Sequence, residues 1–120
     1  MFVGVLRITL QIPGARSLKD RRRVVLSFKD RLRQKLRLSV AEVGGLDSHQ
    51  RAVLGVAVVG NDAAQVDELL GVAAKLAGVL RDAVLVDVKS ELIPLGAEGR
   101  SIGECGELRS RGARGIEESA

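Results

Sequence analysis

Large aliphatic residues alternate with other residue types between positions 4 and 12, beginning at Leu6. A period of two places these side chains on one face of a strand, so the segment predicts a half-buried β-strand. The dipeptide Pro13-Gly14 follows. It predicts a turn, because proline lacks a ladder donor and glycine accepts turn geometry.

Two later segments have the apolar stripe of an amphipathic helix. Ser17, followed three residues later by Asp20, predicts the start of the first helix. The stripe of this helix consists of Leu18, Val25, Phe28, Leu32 and Leu36. Asp62 predicts the start of the second helix, whose stripe extends over positions 66–80.

Residues 38–43, 51–59 and 83–91 predict three further strands, and 44–50 predicts the hairpin loop between the first two of them. The order is therefore strand, helix, strand, strand, helix, strand. This order is typical of the ferredoxin-like βαββαβ sandwich, an α+β fold in which two helices cover one face of a four-stranded antiparallel sheet. We expect this domain to occupy residues 1–94.

Residues 95–120 differ from the rest in composition. They contain six of the fourteen glycines, a mixture of Arg and Glu, and no regular apolar period. Such a segment cannot bury enough apolar surface to form a core, so it predicts a flexible Gly/Arg/Glu-rich C-terminal tail. A short helix that docks on a partner is the alternative.

Positive charge is concentrated in the first predicted helix. Residues 16–37 hold ten of the nineteen Lys and Arg residues and only two carboxylates, so the stretch carries about +8 in a chain of net charge +4. A local positive field attracts a polyanion or an acidic surface. On a helical wheel, Arg22, Lys29 and Arg33 share one flank of the apolar stripe, where they can contact successive phosphates. The alternative is a solvated face whose long side chains shield the edge of the core.

Some of these cations also oppose the helix dipole. Arg22 and Arg23 lie in the first two turns, where an exposed positive charge is unfavourable by about 0.3–1 kcal/mol. A local conflict of this kind often marks function. The candidate nucleic-acid-binding residues are Lys19, Arg22, Arg23, Lys29, Arg33 and Arg37.

The predicted sheet has one face that no helix covers. If Leu54 and its alternating neighbours contact the helices, the intervening residues of the third strand face outwards beside Val5. This apolar surface predicts an interface with a second copy or a protein partner, and the alternative is a modest patch covered by neighbouring polar side chains. The candidate interface residues are Val53, Gly55, Ala57 and Val59. No aromatic residue on these strands is available to stack bases, as RNA-recognition motifs require.

Residues for catalysis are scarce. His49 and Cys105, the single histidine and the single cysteine, are far apart in the chain, so neither a nucleophilic pair nor a metal cluster is predicted. The strand carboxylates Glu42, Asp87 and Glu91 predict salt bridges on the sheet surface. We therefore expect a non-enzymatic protein with no cofactor and no metal.

The expected cellular compartment also follows from features that the sequence lacks. One cysteine permits no internal disulfide, no signal peptide precedes the first strand, and the apolar runs are too short to cross a bilayer. These features indicate a cytoplasmic protein without membrane contact.

Four segments occur together in the order of a known bacterial family: 12–19 (IPGARSLK), 29–33 (KDRLR), 39–43 (SVAEV) and 50–59 (QRAVLGVAVV). Over roughly residues 1–93 the chain resembles the YlxP-like family, a small domain of unknown function. The resemblance implies a ferredoxin-like fold and no established activity. Family genes often lie beside those for translation-initiation and ribosome-maturation factors, which implies a link to the small ribosomal subunit. Relatives tend to carry an aromatic residue where His49 stands.

The charge pattern and the resemblance together favour a non-enzymatic protein that binds structured, ribosomal RNA through the first helix, in ribosome maturation or translation. Two alternatives stay open. One is a protein-interaction or assembly module that engages an acidic protein, and the other is a small-molecule-sensing dimer.

Overall fold

The chain forms four strands and two helices in the predicted order. Their bounds are β1 Phe2–Gln11, α1 Leu18–Leu36, β2 Ser39–Gly44, β3 Arg51–Gly60, α2 Ala63–Gly78 and β4 Val84–Pro94. The computed structural model describes residues 1–96 and 101–103.

β1 lies at the centre of the sheet. It pairs antiparallel with β3 on one side and with β4 on the other, and β2 pairs with β3, so the strand order is β2-β3-β1-β4. α1 packs over β2, and α2 packs over β1 and β4. The prediction of a ferredoxin-like α+β fold is confirmed.

The core lies between the sheet and the helices. Ile8 and Leu54 project into it from the central strands, Phe28 and Leu32 from α1, and Ala73 from α2, and all five are buried. Alternate residues of β1 and β3 reach this core, as a period of two requires. Because the apolar stripe of α1 is buried here, the opposite, cationic side of the helix faces solvent.

β1 and α2 approach each other closely at Gly4. A Cβ atom at this position would lie 2.6 Å from Cγ1 of Val66 and 2.9 Å from Cδ1 of Leu70. Carbon atoms in favourable contact are about 3.5–4.0 Å apart, so only glycine fits without displacing its neighbours. The first turns of α2 therefore rest directly on the backbone of β1.

The sheet extends further than the alternation predicts. β1 begins at Phe2 and β4 continues to Pro94, and these two residues lie opposite each other. Beyond them, the N–H of Leu95 donates to the carbonyl of Met1 at 2.9 Å. Leu95, the first residue after the predicted domain boundary, is therefore hydrogen-bonded to the domain. Most of the predicted tail, residues 97–100 and 104–120, lies outside the described residues.

Candidate nucleic-acid interface

Hydrogen bonds from residues at its own termini cap both ends of α1. Oγ of Ser17 accepts from the N–H of Asp20 at 3.2 Å, and the Asp20 carboxylate accepts from the N–H of Arg16 at 3.0 Å. The first bond satisfies an N–H that has no partner within the helix. At the other end, Arg37 takes the left-handed conformation with φ 55°, and its N–H donates to the Arg33 carbonyl. α1 therefore has defined ends.

One cation of α1, Arg21, points into the protein. It is only 5% exposed, its Nη2 lies 2.6 Å from Oε1 of Glu42, and its Nε donates to the Arg51 carbonyl at 2.9 Å. A buried guanidinium needs a counter-charge and acceptors for its donors. Glu42 supplies the counter-charge, and the Arg51 carbonyl accepts from Nε. Arg21 therefore ties α1 to β2 and β3.

Charge alone does not distinguish Arg21 from the neighbouring cations, but its position in the helical repeat does. Arg21 lies four residues before Val25 and seven before Phe28, which places it on the buried stripe. Glu42 pairs with Leu54, so it lies on the helix-facing side of β2. The salt bridge predicted for Glu42 on the sheet surface thus forms beneath α1, where the sheet meets the helix layer.

Three predicted residues, Arg22, Lys29 and Arg33, lie along the flank of α1 that faces β2, and we call them the β2-side row. Arg33 establishes the direction of this flank, because its Nη2 donates to the Val40 carbonyl of β2 at 2.9 Å. At 1.5 Å per residue the row extends over about 17 Å.

The other three predicted binding residues lie elsewhere. Lys19 is exposed in the first turn of α1, and Arg37 is the left-handed residue that follows the last turn. Arg23 is rotated from Arg22 by about 100° around the helix. It lines a groove between α1 and the segment that joins α2 to β4. Arg23 therefore faces a different part of the surface from the β2-side row.

This groove has a volume of about 410 Å³. Its lining includes basic, hydroxyl, acidic and aliphatic side chains: Arg23, Val24, Ser27, Arg31, Val79, Leu80, Arg81 and Asp82. We call Arg23, Arg31 and Arg81 the groove row. Sequence reasoning missed Arg81, because it comes near α1 only through the packing of the two helices and not through any local pattern.

No cation of either row has a carboxylate within 4.0 Å in the part of the chain that the structure describes. Only two salt bridges with a nitrogen–oxygen separation of 4.0 Å or less occur there, Arg7 with Asp87 and Arg21 with Glu42. The Arg7–Asp87 pair is the surface salt bridge predicted for Asp87. Neither row is therefore neutralised by a direct ion pair, although Asp82 lines the groove together with the groove row.

The sheet face opposite the helices contains a concavity of about 580 Å³. Of the four predicted interface residues, Gly55 and Ala57 line it, whereas Val53 and Val59 lie outside it. Other apolar residues that line it are Val5, Leu6, Val40, Ala41, Val43 and Val56, and its polar lining includes Arg7, Ser39, Lys89, Ser90 and Glu91.

Val43 lines this concavity beside an irregularity in β2. It follows Ala41 by two residues, so both side chains lie on the outward face of the strand. The register between β2 and β3 shifts between Glu42 and Gly44, and Cγ1 of Val43 would lie 3.0 Å from a Cβ atom at Gly55. The predicted interface did not include Val43, because it was drawn from the third strand alone.

Other candidate chemistry is sparse. Within residues 1–96 and 101–103, no group of three or more His, Cys, Asp or Glu side chains is placed to hold a metal ion. His49 is exposed in the loop between β2 and β3, and Cys105 lies outside the described residues. In the same part of the chain, neither helix has the length and apolar character needed to cross a membrane.

One protein family matches most of the sequence that forms these strands and helices. The family described as "Protein of unknown function (DUF503)" matches residues 3–90. The chain belongs to the DUF503 family. No curated protein matches it.

The DUF503 match begins in β1 and ends within β4. Both cationic rows and most of the residues around the concavity therefore lie inside the family domain. The DUF503 description assigns no activity, so a function for these surfaces has to be argued from their chemistry.

Proposed function

We propose that this DUF503 protein binds structured RNA through the β2-side row and performs no catalysis. One contrast carries the proposal. Arg21, the buried cation of α1, is paired with Glu42, whereas the exposed cations of the same helix have no carboxylate within 4.0 Å among the described residues. Exposed cations without a carboxylate partner suit a polyanion, because binding each phosphate releases condensed counterions.

The spacing of the row supports contact with a phosphate backbone. Lys29 follows Arg22 by seven residues and Arg33 follows Lys29 by four, so the steps along the helix axis are about 10 Å and about 6 Å. Arg33 is already held by the Val40 carbonyl. Its planar guanidinium keeps further N–H donors for a phosphate, and less side-chain entropy is lost when the phosphate binds.

Base stacking is not part of this proposal. The outward-facing residues of β1 and β3 include Arg7, Thr9 and Gly55 but no aromatic side chain. Phosphate contacts position a protein without reading sequence, so the ligand is recognised by its backbone and shape. The resemblance to the YlxP-like family makes ribosomal RNA, in ribosome maturation or translation in the bacterial cytoplasm, the first ligand to test.

The experiment compares two triple variants of equal charge. One replaces the β2-side row with Gln, and the control replaces Arg7, Arg51 and Lys89, which lie on the opposite face of the sheet. We expect the row variant to bind structured RNA more weakly. Its slope of log affinity against log salt should fall by about 0.7–0.9 for each phosphate that the protein no longer neutralises. The control should keep the wild-type affinity and slope.

Fluorescence anisotropy over a salt series measures affinity and slope together. Equal losses of RNA affinity in the two variants would show that binding responds to net charge alone. That result, or a wild-type protein without RNA affinity at low salt, would overturn the proposal.

The concave sheet face supports a second candidate function, assembly with a second copy of the chain. Lys89 and Glu91 lie two positions apart on β4 and both line the concavity. A two-fold axis can set each of these charges opposite its counterpart, as a self-complementary interface requires. In such a dimer, both α1 helices stay on the outside, so RNA binding and assembly are compatible.

Sedimentation of wild type and of the Ala57→Asp variant tests this assembly. Ala57 lines the concavity, so a buried aspartate there should halve the sedimenting mass, because an unpaired charge is costly to bury. The melting temperature of the monomer should change little. A monomeric wild type at high concentration would remove this candidate.

A further inference from the structure

The groove row extends the cationic surface around α1, away from β2. Arg23 and Arg31 line the groove from α1, and Arg81 lines it from the segment after α2. Ser27 adds a hydroxyl group, and Asp82 is the one carboxylate among the lining residues. Guanidinium groups pair with phosphate through planar, directed hydrogen bonds. The groove therefore has the chemistry of a phosphate site, with an excess of two positive charges.

The β2-side row lies on one flank of α1, and the groove row lies along the other, where Arg81 faces the helix across the groove. An α-helix with its side chains is about 10–12 Å across, so the rows are separated by a distance of that order. A single strand that follows one row leaves the other empty unless it bends sharply around α1. Two strands held apart in a double helix can meet both rows at once.

We propose that the ligand of this surface is double-helical RNA, with phosphates of one strand at the β2-side row and phosphates of the other strand at the groove row. This inference rests on the proposed function and names its substrate class. A-form RNA has a wide, shallow minor groove. α1 lies over that groove while the cations on its two flanks reach the phosphates on either side.

The part of α1 between the rows permits this placement. At 100° per residue, Leu26 and Asp30 fall between the two rows, and both are exposed. Ser27 and Gln34 fall within the angular range of the groove row and are exposed as well. The side-chain oxygens of Asp30, Ser27 and Gln34 can accept hydrogen bonds from the 2′-hydroxyl groups that the minor groove of RNA displays, and Leu26 can pack against the sugars.

The test uses the full chain and two RNA ligands with equal numbers of phosphates: a hairpin with a stem of about 16 base pairs, the span of a double-stranded-RNA-binding domain, and an unstructured strand. We expect wild type to bind the hairpin more tightly. Replacing the groove row with Gln should weaken hairpin binding and flatten its salt slope by up to about 0.9 for each phosphate released. The same variant should bind the single strand as wild type does, whereas the variant of the β2-side row should lose affinity for both RNAs.

A variant in which Arg23, Arg31 and Arg81 become Lys controls for folding. It keeps the charge, so it should retain most of the hairpin affinity. Equal wild-type affinity for hairpin and single strand, or an unchanged hairpin affinity of the Gln variant of the groove row, overturns the inference and leaves the proposed function standing. Unchanged RNA binding by the variant of the β2-side row overturns both.

Discussion

Arg21 and Glu42 form an ion pair beneath α1, with Nη2 and Oε1 2.6 Å apart and the arginine side chain only 6% exposed. The pair joins the cationic helix to an edge strand of the sheet. It assigns one of the cations in residues 16–37 to structure and distinguishes it from the exposed cations around it. This contact separates one structural charge of α1 from the charges that we propose bind RNA.

Replacing Glu42 with Gln should destabilise the protein. The guanidinium of Arg21 would stay buried without its counter-charge, which we expect to cost about 2–3 kcal/mol of unfolding free energy. This range lies below that of fully buried pairs because the Glu42 side chain is 24% exposed. Urea denaturation followed by circular dichroism measures the change.

The Arg7–Asp87 pair provides the control for Glu42. Its side chains are 55% and 43% exposed and its separation is 3.8 Å, so Asp87→Asn should change stability by no more than about 1 kcal/mol. Replacing Arg21 with Met and Glu42 with Leu together should recover much of the loss, since apolar residues can substitute for a buried ion pair. Similar effects of Glu42→Gln and Asp87→Asn would contradict a structural role for the buried pair.

Two glycines should respond to alanine in opposite directions. Gly4→Ala places a methyl group 2.6 Å from Cγ1 of Val66 and should destabilise by about 1–3 kcal/mol through overpacking. Gly71 is exposed within α2, and a methyl group added there would have no neighbouring atom within 4 Å. Gly71→Ala should therefore stabilise by about 0.5–1 kcal/mol through helix propensity. The melting temperatures of the two variants measure both effects. A stabilising Gly4→Ala would show that α2 does not rest closely on β1.

Arg33 and Arg22 belong to the same row but should differ in their effect on stability. Arg33→Gln removes the hydrogen bond to the Val40 carbonyl and should cost about 0.5–1.5 kcal/mol. Arg22→Gln should be neutral or slightly stabilising, because it removes a positive charge from the N-terminal half of α1. Hydrogen exchange of the β2 amides adds a local readout, and faster exchange is expected only for the Arg33 variant. Equal exchange in both would argue against the hydrogen bond to Val40.

Shortening the chain tests where the domain ends. A chain ending at Gly96 keeps the hydrogen bonds that join Leu95 to Met1, and its melting temperature should equal that of the full protein. A chain ending at Pro94 loses these bonds and should melt a few degrees lower, since about 1 kcal/mol corresponds to about 4–8 °C in a domain of this size. A fall of more than about 5 °C on removing 97–120 alone would show that this segment packs on the domain.

The local sequence pattern was sufficient to predict the helices, the strands and the core residues. The alternation around Ile8 and Leu54 predicts which side of each strand is buried, and both side chains are buried. Ser17 and Asp62 predict helix starts, and each accepts hydrogen bonds from the N–H groups of its first turn. These features depend on residues close together in the chain, where propensity and periodicity operate.

The candidate sites were predicted only in part, because they depend on contacts between distant segments. Arg81 faces α1 across a groove that exists only once the helices pack. Val43 lines the concavity from β2, a strand that the predicted interface did not include. The partner of Arg21 comes from a strand that follows the whole helix. Charge counting alone could not separate these roles.

Arg33 stands where the cationic surface meets an unpaired edge of the sheet. β2 has a neighbouring strand on one side only, and an open edge is a template on which another chain can add a strand. The hydrogen bond from Arg33 to the Val40 carbonyl holds the guanidinium beside this strand. A phosphate held by Arg33 would add bulk and negative charge at the same place, so a bound nucleic acid would also protect the protein from aggregation through β2.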